Sequence, residues 1–551
     1  MVTRPVRTPH FRVRTAMIQR LPMLLALLAA ALPAQTVDPA SRNQPERLEW
    51  FRDQGFGLFI HWSVDSQLGV VISHSLVGAS DDYTTRFFSE LPRSFNPRKF
   101  HPQDWAALAR LAGVKYVVFT TKHHSGFAMW DTATTEFGIQ HTPFGRDIFA
   151  ELLSAFREQN IAPGIYFSPD DFHWLYTNHV LVDRRRAEDA PANNPGLMAL
   201  DKAQIRELLT RYGPISVIFL DGPPEGLREL SWDLQPGIVV TRGAITTPEQ
   251  NVPGVPLEGP WEACITMGTA WQYQPQNEHY KSGGELISLL VETRAKGGNL
   301  LLNVGPKPDG ELPIEQEERL REMALWMFVN GEAIYGVRPW VISNEQNTWF
   351  TKKKDADTLY AVVKERWRRG EWKDLVLHSV KATARTEVTV LGQNDRTLEY
   401  QERVVPKTTF HQEPDGLHIR AMRTQRLQDN SQWPNPAVLK ITNAKPALTP
   451  PRVETGRVAR EGPWVSLTAN LGSLGDATSV EVGFEYRSLK GLDANERGGE
   501  WQRTPLQHMT APGAFSTRVT GWPAAERYEF RALVEHPVLT MYGEAKAVTL
   551  P

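Results

Sequence analysis

The amino-acid sequence predicts a (β/α)8-like TIM barrel followed by β-sandwich domains, and three observations support this fold class. Short, almost wholly apolar runs alternate with amphipathic segments between residues 47 and 330, a length that suits such a barrel. Polar residues end almost every apolar run, as they do at the catalytic face of barrels. After residue 335 the pattern changes to short, alternating strands separated by turn residues, which is typical of β-sandwiches.

Six apolar runs are predicted to be buried parallel strands, because each is nearly continuously hydrophobic. They occupy residues 56–62, 115–121, 162–168, 215–221, 237–242 and 298–304. Amphipathic helices are predicted at residues 104–112, 147–160, 202–212 and 284–296. Asp104 and Asp147 are predicted N-caps, and Gly113 and Gly297 are predicted to follow helix ends. A doubly wound sheet is the alternative, but no Gly-x-Gly-x-x-Gly motif follows the first strand.

Changes of pattern along the chain predict its domain organisation. Residues 35–335 are assigned to the barrel, and residues 336–448 to a β-sandwich. A Pro-rich junction at residues 443–451 precedes a second β-sandwich, residues 449–551, of fibronectin type III-like or immunoglobulin-like size. In that module Tyr528 occupies a position of the kind used by a tyrosine corner.

Residues 1–34 have the composition of a secretory signal peptide. Arginines precede a Leu- and Ala-rich run at residues 21–32, and Pro33-Ala34-Gln35 follows it. This run is shorter than the roughly 20 residues that span a bilayer, and no other stretch is long enough, so we expect no membrane span. The single cysteine, Cys264, excludes an internal disulfide. We therefore expect an exported protein in a bacterial periplasm or outside the cell.

The overall composition is that of a soluble globular protein. Hydrophobic residues make up 41% of the chain and charged residues 23%. The formal net charge of −2 gives no reason to expect nucleic acid or an anionic membrane as a partner. Seventeen tryptophans favour a carbohydrate ligand, although large β-rich proteins also use Trp in their cores. The oligomeric state is left open.

In a barrel, the polar residues at the strand ends would surround one pocket. These residues are His61, Trp62, His123, His124, Tyr166, Ser168, Asp221 and Arg242, with Glu249 in the following loop. Asp221 closes the most apolar run, where a carboxylate must be paired or functional; a structural cap is the alternative. Together, Asp221 and Glu249 would supply the nucleophile and the proton donor of a retaining glycoside hydrolase.

The adjacent histidines His123 and His124 raise three alternatives: a metal site, a catalytic triad, or hydrogen bonds to a polar ligand. No His-Glu-x-x-His motif accompanies them, and no Gly-x-Ser-x-Gly motif is present. Adjacent residues at a strand end point to opposite sides. We therefore expect one histidine to bind ligand hydroxyls directly and the other to act through packing.

Ordered sequence blocks resemble the glycoside hydrolase family 29 α-L-fucosidases. They include FGLFIHW, KYVVFTTKHHSGFAMWDT, VIFLDG, TRGAITTPE, WEACITMGTAWQY and AKGGNLLLNVGPKPDGELP. The resemblance implies a retaining exo-glycosidase that acts on fucosylated glycans without a metal or organic cofactor. It implies that Asp221 is the nucleophile and Glu249 the acid/base. It also implies that the fucose pocket is lined by His61, His123, His124, Tyr166, Arg242 and Trp271.

Two departures from the family pattern concern specificity. Ser125 stands where many members have Asp in His-His-Asp-Gly-Phe. A Glu-Trp-Tyr element is missing, and His74 and Ser75 stand roughly in its place. Two alternatives to an α-L-fucosidase are therefore a glycosidase of a related L-sugar and a carbohydrate-binding protein on a degenerate scaffold. The presence of both carboxylates argues against a pure binding protein, and a metal-dependent hydrolase is a third alternative.

Overall fold

The structure is a computed structural model that describes residues 36–184, 186–276, 278–427, 435–489, 500–523 and 526–549. The expected signal peptide lies outside these described residues. Within them, no helix is both long and apolar enough to cross a membrane.

Seven parallel strands form the sheet of the barrel. They are β1 Phe56–Ile60, β2 Tyr116–Lys122, β3 Ala162–Phe167, β4 Val217–Leu220, β5 Val239–Val240, β6 Glu262–Thr266 and β7 Asn299–Val304. Their order is β5-β4-β3-β2-β1-β7-β6. Nearly every strand residue is buried, because helices cover the outer face and side chains fill the interior.

The two edge strands, β5 and β6, are joined through an irregular segment rather than an eighth strand. Isolated parallel bridges link Thr246 to Trp261 and Glu249 to Cys264. The predicted barrel-like fold is confirmed, with residues 246–249 filling the gap between its edges. All six predicted strands are present. The seventh strand, β6, was absent from that prediction.

Nine α-helices are found in the described part of the chain. They are α1 Pro45–Gln54, α2 Asp81–Ser94, α3 Pro102–Leu111, α4 Ile148–Glu158, α5 Phe172–Thr177, α6 Pro195–Arg211, α7 Leu227–Leu234, α8 Gly283–Ala295 and α9 Ile314–Asn330. Four of them, α3, α4, α6 and α8, match the predicted helices.

The predicted helix caps have mixed outcomes. Asp147 caps α4 by accepting a hydrogen bond from the Ala150 amide at 2.8 Å. The prediction for Asp104 is wrong, because Pro102 starts α3 earlier and Asp104 lies within its first turn. Gly113 and Gly297 follow α3 and α8 with φ of 88° and 92°, which glycine adopts without steric cost.

The chain after the barrel forms antiparallel sheets. Its first group comprises β8 Val337–Glu345, β9 Thr348–Lys353, β10 Thr358–Val363, β11 Trp372–Leu377, β12 Val380–Lys381, β13 Glu387–Val390, β14 Thr409–Glu413, β15 Gly416–Met422, β16 Ala437–Thr442 and β17 Lys445–Pro446. The orders are β13-β16-β10-β9-β8, β11-β15-β14 and β12-β17. Trp326 of α9 donates its indole N–H to the Pro436 carbonyl at 2.9 Å, which ties this group to the barrel.

The last strands build a separate apolar core that includes Leu467, Phe484 and Phe530. They are β18 Arg452–Glu461, β19 Trp464–Ser473, β20 Val480–Ser488, β21 Gln502–Arg503, β22 Gln507–Met509, β23 Gly513–Val519, β24 Arg527–His536, β25 Leu539–Tyr542 and β26 Lys546–Thr549. One sheet has the order β18-β19-β23, and the other is centred on β20 and β24. The Tyr528 hydroxyl lies 3.5 Å from the Gly521 carbonyl oxygen.

Candidate active site

Asp221 lies immediately after β4, at the carboxyl end of the sheet, with both carboxylate oxygens hydrogen-bonded. Its Oδ1 accepts a bond from Arg242 Nη1 at 2.8 Å, and its Oδ2 accepts one from the Tyr166 hydroxyl at 2.6 Å. The backbone is fixed as well, because the Asp221 amide donates to the Phe167 carbonyl at 3.0 Å. Since Tyr166 belongs to β3 and Arg242 follows β5, neighbouring strands hold this carboxylate from both sides.

Opposing effects set the ionisation of Asp221. Burial alone would raise its pKa. The Arg242 charge and the hydrogen bonds from Tyr166 and Arg242 act in the opposite direction and outweigh burial. The net pKa of Asp221 is therefore below its ordinary value, so the group is a carboxylate at neutral pH. The same ion pair raises the pKa of Arg242, although burial opposes this change.

Glu249 shares the Arg242 guanidinium with Asp221. Arg242 Nη2 donates to Glu249 Oε2 at 2.9 Å, and 45% of the Glu249 side chain is exposed, against 23% for Asp221. Backbone bonds pin the loop to β6: Cys264 donates to the Pro248 carbonyl at 3.0 Å, and Gln250 donates to the Cys264 carbonyl at 2.9 Å. One carboxylate is therefore mostly buried, and the other is more exposed.

His61, which follows β1, has its tautomer fixed by Asn303 of β7. The side-chain Nδ2 of Asn303 donates a hydrogen bond to the Trp271 carbonyl at 2.7 Å. The other side-chain atom, Oδ1, therefore makes the 2.6 Å contact with His61 Nδ1. That oxygen can only accept, so His61 Nδ1 carries the proton and Nε2 carries a lone pair. The Trp271 ring lies 4.9 Å from the His61 ring. Asn303 thus orients both residues.

His123 is held by a buried serine from the loop after β1. The Ser73 hydroxyl lies 2.8 Å from His123 Nδ1 and accepts a hydrogen bond from the Ser125 amide, also at 2.8 Å. The His123 ring stacks on Tyr166 with 5.3 Å between centroids and 3° between planes. Ser73 has a φ of 61°, and its amide donates a hydrogen bond to the Asp65 carboxylate at 2.6 Å. A constrained backbone therefore aims this hydroxyl at the His123–Ser125 segment.

His124 lies between two carboxylates. Its Nδ1 is 3.5 Å from Asp170 Oδ2 and 2.5 Å from the Ser168 hydroxyl, and its Nε2 is 3.6 Å from Asp221 Oδ2. Burial nevertheless lowers the pKa of His124 well below its ordinary value, and the Arg184 charge adds to this effect. Arg184 itself pairs with Asp170 at 2.7 Å. The His124 ring is therefore neutral at pH 7.

The other pocket imidazoles are neutral for the same reason. Burial is the largest influence on each, and it lowers the pKa of His61 to about 4 and that of His123 well below its ordinary value. Burial also lowers the pKa of His74, whose ring lies 5.3 Å from the His124 ring. Neutral imidazoles offer one donor and one acceptor each, which suits sugar hydroxyls.

A buried ion-pair cluster precedes the two histidines in the chain and holds the end of β2. Lys122, the last residue of β2, lies 2.7 Å from Asp201 Oδ1 and 3.3 Å from Asp171 Oδ2. Asp171 also caps α5 by accepting the Trp174 amide proton at 2.8 Å. Gly126 leaves room for this carboxylate, because a Cβ there would lie 2.2 Å from Asp171 Oδ1. The cluster fixes the loop that carries His123 and His124.

A family model described as Alpha-L-fucosidase matches residues 26–332, which is more than half of the chain. The chain belongs to the α-L-fucosidase family. Tissue alpha-L-fucosidase from Homo sapiens is 30% identical over 439 residues, which cover 70% of this chain and 91% of the relative. Plasma alpha-L-fucosidase from Homo sapiens is 31% identical over 417 residues, which cover 66% of this chain and 87% of the relative.

Solved structures agree with this family assignment. Alpha-L-fucosidase isoenzyme 1 from Paenibacillus thiaminolyticus has 29% identity and a TM-score of 0.58, covering 72% of this chain and 98% of that one. An alpha-fucosidase from Thermotoga maritima in complex with a mechanism-based inhibitor has 25% identity and a TM-score of 0.57, covering 72% of this chain and 96% of that one. Part of this α-L-fucosidase family member therefore lies outside the aligned region.

The structure brings all eight predicted site residues of this family member into one contact network. Beyond this set, it adds five residues that the sequence did not single out as site residues: Ser73, Asp170, Arg184, Asn303 and Cys264. The expectation that one of the paired histidines binds ligand hydroxyls directly and the other acts through packing stays a prediction. Their rings are 4.2 Å apart, and His123 stacks on Tyr166 while His124 approaches Asp221. Strand alternation does not apply to them, because β2 ends at Lys122.

One group of potential metal ligands occurs among the described residues. His123, His124 and Asp221 each offer a ligand atom within 4.8 Å of the others. Both Asp221 oxygens already accept short hydrogen bonds, and the adjacent Arg242 guanidinium would repel a cation. The arrangement therefore suits hydrogen bonding to an uncharged ligand better than it suits a divalent cation.

Proposed function

We propose that the protein hydrolyses terminal α-L-fucosides through a covalent glycosyl-enzyme intermediate. The observation that carries this proposal is the bridge made by Arg242, whose two terminal nitrogens bind Asp221 and Glu249. One guanidinium thereby holds two carboxylates of different exposure beside the same pocket. A retaining glycosidase needs such a pair, one group as nucleophile and one as acid/base, about 5–5.5 Å apart.

In the first step, a carboxylate oxygen of Asp221 attacks the anomeric carbon, and Glu249 protonates the departing glycosidic oxygen. The hydrogen bond from Tyr166 and the Arg242 charge keep Asp221 ionised for this attack. In the free protein Glu249 is ion-paired with Arg242. We infer that the glycosidic oxygen takes the place of this contact, so that Glu249 can hold the proton that it donates.

In the second step, Glu249 accepts a proton from water, and the oxygen of that water attacks the anomeric carbon and releases Asp221. The carboxylate that reforms is again bound by Arg242 and Tyr166. Because the same anomeric carbon is attacked twice from opposite faces, the product keeps the configuration of the substrate.

The neutral imidazoles are proposed to orient the sugar ring. His61 presents the Nε2 lone pair to the pocket, so it would accept a hydrogen bond from a sugar hydroxyl. His123 and His124 would bind further hydroxyls. Trp271, beside His61, provides an apolar surface for the sugar.

Specificity for a related L-sugar is a second candidate. The support is local: Ser73 bonds to His123 and Ser125, and the His74 ring lies 5.3 Å from the His124 ring. A loop that departs from the family pattern therefore contacts the paired histidines. A pure carbohydrate-binding role is less well supported, because binding alone does not require two carboxylates on one arginine.

Hydrolysis of 4-nitrophenyl α-L-fucoside by the purified protein tests the proposal, with the anomer that is first released identified by proton NMR. We expect turnover and first formation of α-L-fucose. First formation of the β-anomer would reject the double displacement. Turnover of an L-galactoside but not of the fucoside would favour the second candidate.

We also propose export to the periplasm or cell exterior, supported by the arginines and the Leu/Ala run within residues 1–34. Residues 336–448 and 449–551 are proposed as two β-sandwich domains. Two apolar clusters support this division: apart from Leu539, the buried members of one lie within residues 340–444, and those of the other lie within residues 465–534. The likeness of the last one to a fibronectin type III module rests on its size and strand pattern. Cell fractionation of the natural producer tests the export.

A further inference from the structure

The Ser73 hydroxyl has two hydrogen-bond partners in the described part of the chain. They are the Ser125 amide and His123 Nδ1, both at 2.8 Å. A hydroxyl group carries one proton to donate and two lone pairs that accept. The amide can only donate, so it occupies one lone pair of Ser73. The proton of Ser73 is then left with one possible acceptor, His123 Nδ1.

Burial decides the direction of the bond between Ser73 and His123. Ser73 is fully buried, so solvent does not replace a missing partner of its hydroxyl. If His123 Nδ1 carried a proton, the Ser73 proton would have no acceptor, and a buried donor without an acceptor is energetically unfavourable. His123 Nδ1 therefore carries a lone pair. Because the His123 ring is neutral, its proton lies on Nε2.

The backbone of Ser73 is held in a conformation that is sterically unfavourable for serine. Its φ of 61° lies in the left-handed region, which glycine adopts without steric cost. Asp65, which is also fully buried, accepts the Ser73 amide hydrogen bond at 2.6 Å and holds this conformation. A strained backbone held by a buried partner is typical of residues whose side chain has a functional task. At Ser73 that side chain contacts the paired-histidine loop.

The stack of His123 on Tyr166 leaves one choice open, and Ser73 makes it. The stack fixes the plane of the His123 ring, with 3° between the two rings. A half-turn of the ring within that plane would exchange Nδ1 with a carbon atom, and Nε2 with another, without loss of the stack. Only the first orientation bonds to Ser73. Ser73 therefore selects both the orientation of the ring and its tautomer.

His123 and its neighbour His61 consequently have opposite hydrogen-bonding roles. Asn303 places the proton of His61 on Nδ1, which leaves a lone pair on Nε2. Ser73 places the proton of His123 on Nε2 and leaves the lone pair on Nδ1. The two rings lie 5.9 Å apart. One ring of the pocket thus offers an acceptor, and the adjacent ring offers a donor.

We propose that Ser73 is a positioning residue that determines specificity by making His123 a hydrogen-bond donor to the sugar, beside the acceptor His61. The inference rests on the proposed fucosidase function and specifies what the pocket demands of its ligand. The group at His123 must accept a hydrogen bond, and the group at His61 must donate one. A hydroxyl meets both demands. A protonated amino group cannot accept at His123, and a methyl ether cannot donate at His61.

The direct test observes the His123 ring by long-range proton–nitrogen NMR at neutral pH, on protein labelled at histidine. His123→Gln identifies the signals by their loss. We expect the proton on Nε2 in the wild type and a mixture of tautomers in Ser73→Gly, which removes the hydroxyl and tolerates the positive φ. The matched control is Ser80→Ala, which removes a serine hydroxyl that also accepts a backbone amide, that of Tyr83 at 3.3 Å, and should leave the His123 signals unchanged.

The kinetic test compares kcat/KM for 4-nitrophenyl α-L-fucoside with kcat/KM for its monodeoxy analogues, each of which lacks one ring hydroxyl. Removal of the hydroxyl bound by His123 should cost Ser73→Gly about tenfold less than it costs the wild type, because the variant has already lost the fixed donor. The losses for the other hydroxyls should agree between the two proteins within about twofold. Comparison of the same analogues in both proteins cancels the intrinsic reactivity of each analogue.

The two experiments separate failure of this proposal from failure of the proposed function. A proton on Nδ1 of His123 in the wild type, or an unchanged tautomer in Ser73→Gly, would overturn the proposal. An equal loss of kcat/KM on every analogue would reduce Ser73 to a structural residue and also overturn it. If the wild type hydrolyses no fucoside but shows the expected tautomers in both proteins, the fucosidase function is rejected and the role of Ser73 is retained.

Discussion

The two halves of the sugar pocket satisfy their polar groups in different ways. In the catalytic half, which comprises Asp221, Arg242, Glu249 and Tyr166, charged groups bind one another directly. In the recognition half, which comprises His61, His123, His124, Ser73 and Asn303, neutral rings are held by uncharged hydroxyl and amide groups. Burial acts on both halves, but only the catalytic half remains charged.

Arg242 accounts for this difference. Burial would raise the pKa of Asp221, as it lowers the pKa of His61 to about 4, but the guanidinium outweighs it at Asp221. At the imidazoles no neighbouring charge outweighs burial, so the pKa values of His61, His123 and His124 are lowered. Asp221 at 3.6 Å from His124 fails to keep that ring charged, because burial and Arg184 dominate. In the proposed mechanism, charge therefore lies where bonds are broken, and neutral hydrogen-bonding groups lie where hydroxyls are bound.

The largest effect that distinguishes the halves is expected from Asp221→Gly. This change removes the proposed nucleophile and leaves Arg242 and Tyr166 in place, so kcat for 4-nitrophenyl α-L-fucoside should fall by about 10⁴-fold or more. Added azide should restore part of the turnover by occupying the space of the carboxylate, and the product should be the azide of inverted configuration. Full activity of the variant would show that Asp221 is structural and would remove the basis of the catalytic half.

A smaller loss is expected from Glu249→Ala, and its size should depend on the leaving group. Acid catalysis contributes about 10²–10⁴-fold, and a nitrophenolate needs little protonation whereas a sugar alcohol needs much. We therefore expect kcat/KM to fall far more for fucosylated oligosaccharides than for the 4-nitrophenyl fucoside. The control is Glu258→Ala, a change at another residue of the same connection between β5 and β6. Equal losses on both substrates would argue that Glu249 only positions Arg242.

The recognition half is tested by His61→Phe, Asn303→Leu and the double variant. Removing one partner of a buried hydrogen bond costs about 1–3 kcal/mol, so kcat/KM should fall by roughly 10–100-fold in each single variant. Because Asn303 acts through His61, the double variant should lose little more than either single variant. Additive losses would show that Asn303 does not act by fixing the His61 tautomer, and thermal unfolding should exclude a general loss of stability.

The sequence predicted the catalytic half better than the groups that support the recognition half. Continuous apolar runs marked the strands, and their polar ends marked Asp221, Arg242 and the histidines. Asn303 was not identified because it lies inside an apolar strand and its partner His61 is 242 residues away. Ser73 gave no signal either, since its role depends on a positive φ and on contacts 50 and 52 residues away. Such contacts are properties of the folded chain and not of local pattern.

Strand β6 was missed for a related physical reason. The polar Glu262 and Thr266 flank an apolar centre of only three residues, so its apolar run is short. The structure buries Glu262 inside the barrel, where it accepts a hydrogen bond from the Tyr116 hydroxyl. Burial raises the pKa of Glu262 to about 7, although that bond opposes the change. A polar residue that is buried inside a barrel is not distinguishable, from sequence, from one that faces solvent.

The smallest and most specific effect is expected from Tyr166→Phe, which removes one hydrogen bond from Asp221 and keeps the aromatic stack on His123. The pKa of Asp221 is below its ordinary value partly because of this bond, so it should rise in the variant. Asp221 must be ionised to attack, and activity is lost as pH falls through its pKa. The acidic limb of the kcat/KM profile for 4-nitrophenyl α-L-fucoside should therefore move to higher pH, with most activity retained near neutrality. The matched control is Tyr360→Phe, which removes a 3.0 Å tyrosine–Glu332 bond in the β-sandwich region and should leave the limb in place. An unmoved limb in Tyr166→Phe would assign the ionisation of Asp221 to Arg242 alone and confine the charge stabilisation of the catalytic half to one residue.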